Sequence, residues 1–378
     1  MARMSGSGSV RKVGVEEELL LVDPESRELA NAAGAVLHTH RTEPTADSAD
    51  GAPGDLEGEL LRHMVETHTD PATDLAEIDR QLREARRTAL TAAQDAGLAL
   101  AAVATPPLGS ADPGVSANPR YERIVNEFGD ISRRAGTLGM HVHVDIADDE
   151  EGVHVIDGLR PWLPLLTALS ANSPYAGGHD TGYASWRHQV WTRWPSAGTA
   201  EPYGSAAEYR RVRADLIRLG AALDPGMLYY DARLSEAFPT VEVRVADVCT
   251  EVDDALLVVA LTRALVETVS TEDASPPARS DLLRAAGWRA SRYGVSGDLV
   301  HPRTWDVVPA PDALRALVEH VRSALDAAGD TARVEDGLGR LSATGNGARR
   351  QRAARERSED LRGVVDDLVA RTAATTGA

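Results

Sequence analysis

The 378-residue sequence contains one cysteine, Cys249, and one lysine, Lys12. A lone cysteine excludes an intramolecular disulfide and a cysteine-built zinc site. A lone lysine argues against a Walker A phosphate loop and against Schiff-base catalysis, each of which needs a lysine at a defined place. No run of about 18 apolar residues occurs, so no membrane span is predicted. The opening MARMSGSGSV lacks the apolar stretch of a signal peptide. Positive charge is scarce as well: 58 acidic side chains face 40 basic ones, a formal charge of −18. That balance opposes nucleic acid or an anionic membrane surface as partner, but leaves room for a phosphorylated small molecule at a local basic site. A cytoplasmic enzyme is expected.

What is present is enough apolar residue, 43% of the chain, to bury a substantial core. Residues 1–9 and 374–378 read as flexible tails around a single catalytic domain, 10–373. RKVGVEEELLLVD (11–23) reads as a long strand ending at Asp23-Pro24. The Pro-, Gly-, Asp- and Ala-rich stretch 41–55 is a loop, and 58–69 fits strand or helix equally. Asp74 and Glu77 form a capping box for a helix with Leu75, Ile78, Leu82, Ala85, Ala89 and Ala93 at helical spacing, closed by Gly97. A buried strand is expected over 98–105, a helix over 152–170 and a long irregular loop over 171–198. A helix over 205–219, a strand over 238–248 and an apolar helix over 251–269 follow. Further helices are expected near 279–287, 311–327 and 348–372, the last largely solvated. No repeat and no dividing linker is visible, which gives one α+β domain with an antiparallel sheet.

The strands share a design. Side chains alternate faces along a strand. In VGVEEEL, Glu16 and Glu18 share a face, and Glu17 points the other way with Val15 and Leu19. It is expected to pair with an arginine behind the sheet. In HVHVDI, His141, His143 and Asp145 share a face; in TVEVRV, Glu242 and Arg244 do; in HMVETHT, if extended, Met64, Glu66 and His68 do. An ordinary half-exposed sheet also alternates apolar and polar residues, so solubility charges and cross-strand ion pairs are the plain alternative. Glutamate is a poor strand former, however, and glutamates facing one another repel unless something positive lies between them. Mg2+ or Mn2+ would resolve the repulsion, and an arginine on the same surface would hold a phosphate. The residues by themselves thus suggest a carboxylate-lined sheet face for metal and nucleotide in phosphoryl transfer.

VGVEEELLLVDP, MVETHT, GMHVHVDI, LTALSANSPYAGGHDTGYASWR, RWPSAG and TVEVRVADV, in this order, resemble the glutamate–cysteine ligase type 2 family. These are carboxylate-amine ligases of the glutamine-synthetase-like superfamily. The resemblance covers about residues 11–270; the remainder matches loosely, mainly at GWRASRYGV. It implies a curved antiparallel sheet with helices packed on its convex face and a concave face that binds ATP and Mg2+, with Mn2+ as the alternative ion. It further implies activation of a carboxylate as an acyl phosphate, which an amine attacks. The acid would be an amino acid such as glutamate and the amine cysteine or another amine, and a homodimer is compatible. Residue by residue, Glu16, Glu18, Glu66 and Glu242 would be metal ligands, with Glu59 undecided. His141 or His143 would contact metal or phosphate, and Arg244 would bind phosphate. Arg233 matches an arginine near the active site, and Arg187 would line the nucleotide or acceptor pocket. Where the family usually has Trp-Trp-Asp, this chain has Tyr229-Tyr230-Asp231, and Pro239 stands where glycine is usual. Both departures border the expected acceptor pocket and bear on substrate identity.

Two other readings remain open at this level. The His-x-His pair could serve a mononuclear Fe or Zn oxygenase or hydrolase without nucleotide, with His154 or His179 as the third ligand. The chain could also be a non-catalytic nucleotide-binding homologue, which the full glutamate set opposes. The aromatics Tyr175, Tyr183, Trp186, Trp191 and Trp194 are either core plugs or pocket wall. Cys249 reads as a small buried hydrophobe.

Overall fold

The structure, a computed structural model, describes residues 10–42, 56–109, 113–133, 136–273 and 278–376. Strand β1 (Val13–Val22) is followed by α1 (Ala33–Thr42), β2 (Leu56–Gly58), β3 (Met64–His68), α2 (Leu75–Asp95) and β4 (Ala99–Ala101). Next come α3 (Pro119–Phe128), α4 (Asp130–Arg133), β5 (Gly139–Asp145), α5 (Asp149–Leu159) and α6 (Leu163–Ser170). The short hairpin β6 (Tyr175–Ala176) and β7 (His179–Asp180) leads to α7 (Trp186–Trp191), α8 (Ala206–Arg218), β8 (Ala232–Leu234) and β9 (Thr240–Asp247). Helices α9 (Val252–Thr271) and α10 (Ser280–Tyr293) precede the hairpin β10 (Asp298–Val300) and β11 (Val307–Pro309). The chain then continues through α11 (Ala310–Ala328), α12 (Thr331–Thr344), α13 (Gly347–Ser358) and α14 (Leu361–Ala374).

The main sheet is antiparallel in the order β2-β3-β1-β5-β9-β8, with β4 paired to the end of β1. Its aliphatic face carries Val13, Val15, Met140, Val142, Val144, Val241, Val243 and Val245, all buried against α2, α5, α6 and α9. This is the α+β fold expected, with helices on the convex face of the sheet. The charged alternates face the other side. There a smaller cluster, Ile124, Trp194, Ala222 and Met227 with Tyr121, Trp191 and Tyr229 packed on it, forms a roof over the sheet. No described helix is long and apolar enough to cross a membrane.

Glu17 is the exception on the aliphatic face. It is fully buried, and Arg86 of α2, also fully buried, grips it with Nε at 2.8 Å and Nη2 at 2.6 Å. Arg86 also donates to the carbonyls of Cys249 and Thr250, at 2.7 Å each. One ion pair therefore ties β1 and α2 to the segment after β9, as the alternation of β1 predicts. Cys249 is buried, as read.

Several local expectations are corrected. Asp74 caps α2 by accepting from Ala76 N at 2.8 Å, but Glu77 turns to Arg80 and Gln81 instead of closing the box. The helix expected over 152–170 is two, α5 ending at Leu159 and α6 starting at Leu163; Pro161 lacks the N–H that would continue the ladder, although Arg160 itself keeps helical angles. The helix over 348–372 is also two: Glu359 takes φ +61°, and Asp360 caps the second by accepting from Gly363 N. Of 98–105 only Ala99–Ala101 is strand, although the following residues stay buried. The 171–198 segment contains β6, β7 and α7. Helix α12 has no counterpart among the helices expected from the sequence. Thr375 and Thr376 are buried and bonded to Arg83 and Arg87, so the packed chain runs past 373. Residues 1–9, 377–378 and most of the 41–55 loop lie outside the described residues.

Candidate functional site

The register of the sheet lays the charged face out as a row. Glu18 stands opposite Glu66 across β1 and β3, and Glu16 opposite His141 across β1 and β5. His143 stands opposite Glu242 across β5 and β9, and Glu242 opposite Arg233 across β9 and β8. Side chains directly opposite in antiparallel strands are close neighbours. The register of β5 against β9 slips between Met140 and Val142, a bulge at His141. Bulges re-aim side chains and recur beside active sites. Segment 64–68, ambiguous by periodicity, is a strand, which turns Glu66 to the same side.

Between this row and the roof lies a cavity of about 230 Å3. Glu16, Glu18, Glu59 and Glu66 contribute acid to it, Arg120, Arg233 and Arg244 base, and Tyr121, Trp191, Trp194 and Tyr229 aromatic wall. His141 lines it as well; His143 stands at its outer side, edge-on to Phe238 at 6.4 Å. Asp145, at the strand end, does not reach it.

The acids fall into two trios whose ligand atoms lie within 4.8 Å of one another: Glu16, His143 and Glu242, and Glu18, Glu59 and Glu66. The first is neutralised by the protein. Glu16 Oε2 lies 3.0 Å from His141 Nδ1, and Oε1 lies 3.0 Å from His143 Nε2. Burial would raise the Glu16 carboxyl, but the two imidazoles outweigh it and hold the group far below the usual range. Glu242 receives Arg233 at 2.7 and 3.1 Å and also pairs with Arg244. Against its burial, these guanidiniums hold it down to about 2. The two histidines diverge. Burial, seconded by Arg244, lowers His141 to about 4, whereas the attraction of Glu16 outweighs burial at His143 and raises it. A neutral His141 that donates from Nδ1 to Glu16 keeps a lone pair on Nε2, an atom buried without a protein partner.

The second trio has no such compensation. Glu18 is pushed up to about 7 by burial and by Glu59, against the pull of Arg187 and of the Gly139 N–H at 2.5 Å. Glu66 is raised well above the carboxylate range by burial, then by Glu59, Glu16 and Glu18. Glu18 and Glu66, raised by burial and by their acidic neighbours, form with Glu59 a set of oxygen ligands short of a cation. Glu59 is thereby the residue that sequence reasoning left undecided and the fold brings in.

Arg187 is not where the resemblance would put it. It is buried beneath Trp191, with its guanidinium 5.3 Å from the ring, donates to the Arg244 carbonyl at 3.2 Å and does not line the cavity. A Cβ on Gly139 would come within 2.3 Å of Arg187 Nη2. The glycine of GMHVH thus admits Arg187 while its N–H holds Glu18. Asp247 explains the neighbouring motifs: it accepts from Asn172 N and from the hydroxyls of Ser173 and Ser185, locking ANSP to YASWR. Arg244 lies 5.7 Å from the Trp191 ring and 5.9 Å from Tyr229. Of the loop aromatics, Trp191 and Trp194 are pocket wall. His154 bonds the last carbonyls of α9 and His179 is exposed on β7, so neither supplies a third histidine.

The model of glutamate–cysteine ligase family 2 matches residues 12–371. The chain belongs to this family. A relative from Nocardioides sp. (strain ATCC BAA-499 / JS614), named "Putative glutamate–cysteine ligase 2-1", is 54% identical over 371 residues, covering 97% of both chains. One from Streptomyces coelicolor, "Putative glutamate–cysteine ligase 2", is 46% identical, over 97% of this chain and 100% of its own. Among solved structures, a glutamate–cysteine ligase from Francisella tularensis in complex with AMP superposes with a TM-score of 0.68 at 13% identity, over 98% of this chain and 90% of that one. A bifunctional glutathione synthetase from Pasteurella multocida gives 0.65 at 14%, over 97% of this chain and 52% of that one. At such identities the likeness is one of fold. As a member of glutamate–cysteine ligase family 2, the chain is of the ligase class.

Proposed function

We propose that the protein is an ATP- and Mg2+-dependent carboxylate–amine ligase that forms an amide through an acyl phosphate, with an amino acid such as glutamate as acid and cysteine or another amine as acceptor. The observation that carries this reading is the uncompensated Glu18–Glu59–Glu66 trio in the same cavity as Arg244. The donor set is all oxygen, which suits Mg2+ or Mn2+ and not a thiolate-seeking metal. Glu18, Glu59 and Glu66 would hold one ion; Glu16, Glu242 and a histidine are the candidates for another. Bound Mg2+ would neutralise the charge gathering on the transferred phosphoryl group. Arg244, fixed by Glu242 and by the Trp191 and Tyr229 rings, presents a cation that needs no reorganisation as that charge develops. Arg233 braces Glu242 and pins the roof through the carbonyls of Gly226 and Leu228, at 2.7 and 3.1 Å. His141 Nε2 offers its lone pair to an ion or a proton. In balance, a substrate carboxylate oxygen attacks the γ-phosphorus and ADP leaves. The amine then attacks the acyl carbon, phosphate leaves, and the nitrogen gives up a proton.

The test is ADP release from MgATP with amino acids offered singly and in pairs. Release is expected only with an acid and an amine together, and none is expected from Glu242→Ala. No release with any pair, together with tightly bound Fe or Zn, would overturn the reading.

The trio also sets a pH dependence. Glu18 and Glu66 have raised folded-state pKa values, so the metal-free fold binds more protons than the unfolded chain between the unfolded carboxylate range and about 7 for Glu18. Their stabilising contribution is complete at low pH and is lost as pH rises through the folded values. Metal binding must expel those protons. The rise in Tm on adding Mg2+ is therefore expected to be larger at pH 8 than at pH 6, with proton release measurable in weak buffer near pH 6.5. Equal Tm increments at both pH values would remove the trio as the metal site.

A further inference from the structure

A larger cavity, about 980 Å3, lies on the helical side of the sheet and shares no lining residue with the sheet-face cavity. It is bounded by the α5–α6 junction, the end of α9, α11 and the turn joining β10 to β11. Its volume is at the upper end of small-molecule sites. Arg160, in the junction, lines it and is only 4% exposed. Of the other buried arginines, Arg86, Arg244 and Arg263 each have a carboxylate partner, and Arg187 is enclosed beneath Trp191. Arg160 donates from Nη2 to Ser280 Oγ at 3.0 Å, and its Nε is buried without a partner among the described residues. Glu201 lies 3.8 Å away and is 77% exposed. Burial outweighs the pull of Glu201 and Asp157 and lowers the guanidinium.

His320 of α11 supplies a second unsatisfied donor. Arg303 Nη2 lies 2.7 Å from His320 Nδ1, and a guanidinium only donates, so Nδ1 accepts and the proton sits on Nε2. Burial, seconded by Arg303, lowers His320 to about 4, which keeps the ring neutral. Nε2 is buried with no acceptor. What the cavity lacks is therefore an acceptor. Its walls are flat: Trp162 stacks on His320 at 4.0 Å, and Trp305 stands in the β10–β11 turn. Trp305 takes φ +64°, rare for a bulky side chain, and its N–H is held by the His301 carbonyl at 2.9 Å. The charges around the cavity set a limit on the ligand. Arg160 and Arg303 face Asp157, Glu272 and Asp273, and Asp157 is spent on the N–H groups of Tyr203 and Gly204, at 2.8 and 2.7 Å. One negative charge suits this balance; a dianion does not.

We propose that this cavity is a second ligand site, independent of the ligase reading above, for a small aromatic monocarboxylate: Arg160 takes the carboxylate and Trp305 the ring. A planar guanidinium held at one nitrogen by Ser280 matches a carboxylate in plane and loses little freedom on binding it. The indole of Trp305 offers an aromatic face to the ring.

The experiment is calorimetric titration of the full chain with indole-3-acetate, with its neutral counterpart indole-3-acetamide and with the dianion phenyl phosphate. Indole-3-acetate is expected to bind more tightly than the amide by about 10- to 100-fold, the worth of one charge-assisted contact, and more tightly than phenyl phosphate. Its Kd should not change when MgADP and L-glutamate are present, since the two cavities share no residue. Arg160→Gln is expected to raise the Kd by about 10- to 100-fold and to abolish the preference for the acid over the amide. Trp305→Ala should raise the Kd for acid and amide alike by roughly 10-fold and keep the preference. If Arg160→Gln does not fold, the acid-to-amide ratio and Trp305→Ala carry the test. Equal binding of acid and amide, tighter binding of phenyl phosphate, displacement by MgADP with L-glutamate, a Kd unchanged in both variants, or no binding of indole-3-acetate would each overturn the assignment.

Discussion

Replacing Glu66 by glutamine is expected to cost on the order of 10²–10³-fold in kcat/KM while raising the Tm of the metal-free protein. Both effects come from one cause. Glu66 is crowded by Glu59, Glu16 and Glu18 in a cavity that disfavours charge, and its carboxyl is raised accordingly. Glutamine keeps the volume and removes the ionisable group. The fold then no longer has to choose between holding a proton and suffering the repulsion, a choice that grows more costly toward high pH. For the same reason the cavity loses a ligand for the cation that stabilises developing phosphoryl charge, an effect comparable to removing one preorganised donor. Paired measurements of thermal unfolding without metal and of steady-state ligation decide the matter. Loss of activity with a lower metal-free Tm would mean that Glu66 is a structural member of the sheet and not a strained ligand.

The second large effect lies on the opposite face of the same strand. Glu17→Ala is expected to destabilise the protein by about 3–5 kcal/mol, because it leaves the Arg86 guanidinium buried without its counter-charge. At about 2.1 cal/mol/K of unfolding entropy per residue, this corresponds to a fall in Tm of roughly 4–6 °C for a chain of this length. Arg86→Met should cost a similar amount, since it orphans Glu17 and the Cys249 and Thr250 carbonyls. The double replacement Glu17→Leu with Arg86→Met should recover much of the loss, since an apolar pair of similar volume avoids desolvating two charges. Thermal or urea unfolding of wild type, Glu17→Leu, Arg86→Met and the double variant closes the cycle. Additive single losses in the double variant would show that the two side chains act separately.

Glu16, Glu17 and Glu18 show how far reading the chain alone reaches. Period-two alternation assigned the outer two to the chemical face and the middle one to an arginine behind the sheet, and the fold shows that division. The same rule, applied to β5 and β9, put His141, His143, Glu242 and Arg244 on one side. It could not decide 58–69, where strand and helix periods both fitted, so Glu59 stayed undecided. Arg187, expected at the pocket wall from the DTGYASWR segment and not from alternation, packs instead against Gly139 and Trp191. Two pairs of helices each look like one in the sequence, because apolar spacing continues across Pro161 and a charge-rich stretch around Glu359 fits a solvated helix, while the backbone breaks at both.

Composition and alternation by themselves excluded an intramolecular disulfide and a cysteine-built zinc site and determined the two-faced strands and most of the charged row, because each depends only on residue type and on a strand's fixed period of two. Tertiary structure alone decided which charges are already spent. Glu242 is taken by two arginines and Glu16 by two histidines, whereas Glu18, Glu59 and Glu66 are left facing one another. Compensation of charge depends on distances of a few ångströms between side chains far apart in sequence and on the water excluded around them. Those distances are set by register, by a bulge and by a roof loop, none of which has a local signature in the chain.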